Sequence, residues 1–359
     1  MDSGSKEKEC DVWMNAKKKL ALLLSLVLLL MLLPASVQAE ETVAEVVVPP
    51  LYLALGDSIS YGLTDLSGAG GYTQMFYDEM LMDLGYRHDD GDNLSYPGDT
   101  TLDLLGVIGK NHKMVKDAGV ITISIGSNHL LGPAIDTLVG LFGINPEDYS
   151  DLDGEDMIHE LAVRMQADWI DGDFITPETR FMSLMAPTPE AYALNQAWME
   201  GSAMFARKWP LVISKIRRDN PDAIVIVNTV YNPLKLSLIS KDEIAPLYNL
   251  LDSYVDQVNQ VISDNQSEYH YGIVDVNTIV ELDSAYDGYI SSGGAAWYTA
   301  PVVFNIPAAI AMTSINGFDP NDPADFLPFF LSCDPHPTTF GHSQIALGAV
   351  TQYVGFMSP

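Results

Sequence analysis

Residues 51–55, Leu-Tyr-Leu-Ala-Leu, form an unbroken apolar run that stops abruptly at Gly56-Asp57-Ser58. A strand with one wet face alternates apolar and polar residues. A run without alternation belongs to a strand covered on both faces, the usual state inside a parallel sheet. Further strand candidates are 120–125, 223–227 and 273–276, with a shorter one at 94–96. Between them, apolar residues recur at helical spacing: Tyr72, Met75, Phe76, Met80 and Leu84 form one set, and Trp209, Val212, Ile213 and Ile216 another. A third set runs from Leu247 through Leu251, Val255 and Val258 to Ile262. Strands alternating with helices predict an α/β domain, a three-layer αβα sandwich around a central parallel sheet.

In open sheets of this kind, ligands bind beyond the carboxyl ends of the strands. Ser58 stands at such an end, and Gly56 lets the backbone turn sharply enough to present it. On this segment alone, Ser58 reads equally well as a nucleophile or as the N-cap of a following helix. A serine nucleophile requires a base, usually histidine, and that histidine is best oriented by a carboxylate. Asp334-Pro335-His336-Pro337 offers both on a loop stiffened by two prolines. Gly98 lies in a turn ahead of a helix, and Asn128 follows the second strand in Gly126-Ser127-Asn128. A backbone N–H at Gly98 and the amide of Asn128 are suitable donors for an oxyanion.

In this order, Gly56-Asp57-Ser58, Gly98, Asn128 and His336 resemble the SGNH superfamily of GDSL-type lipases and esterases. The likeness runs from about Leu51 to the C-terminal helix, and Tyr231-Asn232-Pro233 is similar to the bacterial secreted branch. It implies a flavodoxin-like sandwich with Ser58 as nucleophile and His336 as base. It also implies an oxyanion hole from Ser58 N–H, Gly98 N–H and Asn128, with Asp334 as the orienting acid. Three departures stand out. Ile59 replaces the leucine of the family's name, a volume-conserving change. His129 follows Asn128 where many relatives carry aspartate, and either tunes the site or packs beside it. Cys333, not an acid, occupies the position three before His336. His342 is a rival base, but Gly341-His342 opens the last helix and reads as structural.

Lys17-Lys18-Lys19, an apolar run from Leu20 to Leu33 and the small-residue segment ending Val37-Gln38-Ala39 make a secretory signal over 1–39. The apolar run is shorter than the roughly 20 residues of a membrane span, although an uncleaved anchor is an alternative. Translation starting at Met14 would remove Cys10 and the acidic leader. Cleavage after Ala39 leaves Cys333 as the only cysteine, hence no intramolecular disulfide. Residues 40–50 read as an extended lead-in and 51–359 as one hydrolase domain.

The full chain carries a net charge of −30. The leader holds five lysines and four acidic residues, so the mature chain is one unit more negative. Such a charge argues against nucleic-acid partners. Asp89-Asp90-Gly91-Asp92-Asn93 has the oxygen density of a calcium loop without the twelve-residue pattern, and reads as a solvated turn. Two insertions, at about 132–200 and 281–330, exceed what the sheet needs. The second carries Trp297, Phe304, Ile306 and Met312 just ahead of the His336 loop; it either lines an acyl site, with Phe304 and Ile306 as the candidates, or packs over the sheet edge. The expectation is a secreted serine esterase or lipase acting on a small ester or acylated substrate through an acyl-enzyme, with no cofactor and no metal. A carbohydrate O-deacetylase and an acyltransferase using the same serine are the alternatives.

Overall fold

The computed structural model describes residues 49–63, 70–141, 184, 186–232, 241–281, 336–337 and 339–358. Four strands, β1 (Leu51–Gly56), β2 (Ala118–Ser124), β3 (Ile224–Asn228) and β4 (Gly272–Val274), form one parallel sheet in the order β1-β2-β3-β4. On the free side of β1, residues 93–96 run alongside it: Leu94 N–H donates to Ala54 O at 2.9 Å and Tyr96 N–H to Gly56 O at 3.1 Å. The chain thus leaves β1 to one side, then crosses back to build β2 on the other. This reversal places a topological switch point at the carboxyl end of β1, where open α/β sheets form their binding crevice.

The helices are α1 (Ser58–Tyr61), α2 (Gly71–Phe76, continued by a π-helical turn over Tyr77–Leu81), α3 (Thr101–Lys110), α4 (His112–Asp117) and α5 (Asn128–Leu141). They continue with α6 (Pro189–Asp219), α7 (Lys241–Tyr269), α8 (Val276–Glu281) and α9 (Thr339–Met357). Side chains alternate across the strands, so each face of the sheet has its own core. Leu51, Leu53, Leu55, Ile121, Ile123, Val225 and Val227 pack beneath α3, α6 and α7, against residues such as Leu104, Trp209 and Val258. Tyr52, Ala54, Val120, Ile226 and Val274 pack on the opposite face against Tyr72 and Phe76 of α2 and Ile345, Ala349 and Tyr353 of α9. This is the expected three-layer αβα sandwich. Among the described residues, no helix is long and apolar enough to cross a membrane.

Local chemistry explains where elements begin and end. Thr188 caps α6 by accepting the Ala191 N–H at 3.2 Å, with Pro189 in the first turn. The helix then continues for 31 residues, joining the stretch opened at Pro189 to the one through Trp209. At its far end, buried Asn220 donates to the carbonyls of Val115 and Ala118 at 2.8 and 2.6 Å, while its own oxygen accepts the Ala223 N–H at 3.0 Å. That bond holds Ala223 out of the ladder, so β3 starts one residue later than the apolar run suggests. Arg217 adds bonds to the carbonyls of Tyr269, Ala223 and His270. β4 is shorter than 273–276 because Asp275 turns to cap α8, accepting the Thr278 N–H at 3.1 Å. Residues 94–96 remain an irregular partner of β1, and the acidic turn beside them is internally engaged. Asp92 accepts the Asp89 N–H at 2.9 Å and pairs with Arg87 at 3.7 Å.

Candidate active site

The turn after β1 is built around Gly56, whose φ of +137° lies where side chains are strained. A Cβ there would stand 1.9 Å from the Ser124 carbonyl oxygen. The close approach exists because β1 and β2 end together, with Gly56 paired to Ser124, and Asp57 N–H donates to that same carbonyl at 2.9 Å. Asp57 then caps α1: its Oδ1 accepts the Ile59 N–H at 3.1 Å. The cap is therefore Asp57, and Ser58 is the first helical residue, buried to within 8% of full cover. The two sequence readings of Ser58 are separated here, because the capping role falls to its neighbour.

His336 reaches this serine from 278 residues away, its Nε2 lying 2.7 Å from Ser58 Oγ. That is the hydrogen-bond distance a nucleophile and its base require. Gly98 and Asn128 are brought to the same end of the sheet. Tyr96 N–H on Gly56 O anchors one side of the Gly98 loop, and the Asn128 side chain donates to Asp99 O at 2.9 Å on the other. Gly98 has φ +89°, and a Cβ on it would meet nothing within 4 Å.

The neighbouring histidine is part of this bracing. His129, 4% exposed, accepts on Nε2 the Thr101 N–H, which has no partner within its helix, at 3.2 Å and packs edge-on to Phe205. Burial pushes its imidazole down to about 4, so it is neutral at ordinary pH. His342 is also structural. Its Nδ1 accepts the Tyr72 N–H at 3.2 Å, which leaves Nε2–H to donate to Leu63 O at 3.2 Å. Asp334, Cys333, Phe304 and Ile306 lie outside the described residues, as do the leader over 1–39 and most of both insertions.

Sequence reasoning gave Asp57 no role, yet it is wholly buried beside Ser58. Its Oδ2 has no hydrogen-bond partner among the described residues. Burial raises its carboxyl to about 7, against the opposing pull of the Ile59 N–H and of His336. Asp99 on the Gly98 loop is pushed up to about 6 by partial burial and by Asp103. The available signal was a charged residue ending an otherwise apolar strand. Among the described residues, no group of three or more His, Cys, Asp or Glu is arranged to hold a metal.

No family model and no curated protein matches the sequence. Among solved structures, the chain is similar to a lipase from a goat rumen metagenome, at 15% identity over 84% of this chain and 97% of that one, with a TM-score of 0.46. It is also similar to a member of the lipolytic protein G-D-S-L family from Veillonella parvula, at 12% identity over 85% and 98%, TM-score 0.40. A family 3 carbohydrate esterase from Clostridium thermocellum aligns at 11% identity over 86% and 97%, TM-score 0.38. At these values the reading of the site rests on its own residues.

Proposed function

We propose that this protein is a secreted serine ester hydrolase of the GDSL type, acting through an acyl-enzyme on carboxylic esters with acyl-lipid or short- to medium-chain acyl groups. The observation that carries the reading is the 2.7 Å contact between His336 Nε2 and Ser58 Oγ at the switch point of a parallel sheet. In this mechanism Ser58 Oγ attacks the ester carbonyl carbon as its proton passes to His336 Nε2. The carbonyl π pair moves onto oxygen, which rests against Ser58 N–H, Gly98 N–H and the Asn128 side-chain amide. Collapse expels the alcohol, which takes the proton from His336. A water, deprotonated by the same nitrogen, then attacks the acyl carbon; the bond to Ser58 Oγ breaks, Oγ takes the proton back from His336, and the acid leaves. Asp334 is the proposed orienting acid, and Phe304 and Ile306 are proposed to line the acyl site. Export follows the signal read over 1–39.

Labelling with a fluorophosphonate tests the nucleophile. Ser58 should be modified, and Ser58→Ala should abolish both labelling and hydrolysis of p-nitrophenyl esters. Undiminished hydrolysis by that variant would sink the mechanism. A panel of chain lengths and acetylated sugars, with hydrolysis and transfer to added alcohol measured separately, then fixes the substrate. A site that favours long acyl groups gains roughly 0.8 kcal/mol per buried CH₂, whereas a deacetylase peaks at acetyl.

A further inference from the structure

Capping α1 uses only one oxygen of Asp57, and serine, threonine or asparagine caps a helix without any charge. Here a carboxylate is fully buried, with its second oxygen unpartnered among the described residues, one residue before the nucleophile. A buried ionisable group in such a place costs stability and calls for a functional account. Several groups among the described residues bear on it. Ile59 N–H comes from α1 and the carbonyl of Ser124 holds its backbone from β2. Charge interactions reach it from the Tyr72 phenol on α2, from Asp99 on the Gly98 loop and from His336, whose Nε2 lies 2.7 Å from Oγ of the very next residue, Ser58. Of these, only His336 becomes a cation in the reaction.

We infer that Asp57 is a positioning residue for the proposed chemistry: in its ionised form it supports the His336 imidazolium that appears when Ser58 surrenders its proton. Asp57 transfers no proton and forms no bond; its contribution is one fixed negative charge in a dry setting, where Coulomb interactions are strong. It supplements whatever residue orients the far side of the ring. Because burial raises its carboxyl to about 7, with Asp99 opposing and His336 favouring ionisation, both forms are populated near neutrality. The charge is therefore present on the alkaline side and absent on the acid side.

This inference rests on the serine-hydrolase reading, and the experiment separates the two. Wild type, Asp57→Asn and Ser58→Ala are compared by kcat/KM on a neutral p-nitrophenyl ester from about pH 5.5 to about pH 8.5. Asparagine keeps the cap and removes the charge. The ratio of wild type to Asp57→Asn should climb on the order of tenfold as pH rises through the carboxyl's titration. A purely structural role would give a ratio that does not change with pH, and a flat or falling ratio overturns the inference. Asp57→Ser, which also caps, carries the same readout if the asparagine variant does not fold. Activity remaining in Ser58→Ala would instead defeat the underlying mechanism. An inactive Ser58→Ala with a flat Asp57→Asn ratio defeats only the role of Asp57.

Discussion

Replacing Asp57 with asparagine should make the protein more stable, and increasingly so as pH rises. In the folded chain burial lifts the Asp57 carboxyl from 3.8 to about 7. Between those values the native state holds a proton that the unfolded chain has released, so raising pH favours unfolding. The sign is that of a raised acid: its contribution is intact below the unfolded pKa and is lost by the time pH passes the folded one. Three units at about 1.4 kcal/mol each give a ceiling of about 4 kcal/mol. Asparagine keeps the bond to Ile59 N–H and carries no titration. Wild type alone would mask the effect, because His129 works in the opposite sense over much of the same range. Its imidazole is held near 4, below its ordinary 6.5, so it contributes stability that grows as pH rises toward 6.5. Urea denaturation of wild type and Asp57→Asn at several values between about pH 4 and about pH 8 isolates the carboxyl. The difference should widen in favour of asparagine by up to about 4 kcal/mol and then level off. A difference independent of pH would refute the reasoning.

Two further outcomes are expected. His129→Gln, which can still accept the Thr101 N–H, should lose less stability than wild type as pH falls from about 6.5 to about 4, by roughly 3 kcal/mol, in the same denaturation series. Gly56→Ala combines a strained φ with a Cβ 1.9 Å from the Ser124 carbonyl. It should cost at least about 3 kcal/mol by thermal or urea unfolding, and a neutral result would show that the turn is not as tight as described.

The sheet was legible because its strands are covered on both faces and advertise it with unbroken apolar runs. The boundaries were less legible, because side chains far along the chain decide them. Asn220 withholds Ala223 from β3, and Asp275 ends β4 by capping the next helix. Residues 94–96 were readable as extended but not as an irregular neighbour of β1, since periodicity carries no partner information. At the site, Ser58 and His336 could be paired only by pattern, and the fold brings Ser58 Oγ and His336 Nε2 to 2.7 Å. Asp57 was overlooked because nothing in a sequence distinguishes a capping carboxylate in water from one sealed beneath a helix. His129 looked like a departure from a pattern; its work is to satisfy an orphan N–H at the start of α3.

The bonds that close the two ends of the sheet differ in kind. At the amino end, Asn220 and Arg217 grip backbone carbonyls, and neither side chain changes charge at any ordinary pH. At the carboxyl end, Asp57, Asp99 and His129 all titrate between about 4 and about 7. Between about pH 4 and about pH 7 these three groups change charge at the carboxyl end of the sheet, while Asn220 and Arg217 at the other end do not. Amide exchange should quicken first around Ser58 and Gly98 while β2 and β3 stay protected at their amino ends. The loops around Ser58 and Gly98 thus respond to the medium in a range where the Asn220 and Arg217 contacts do not.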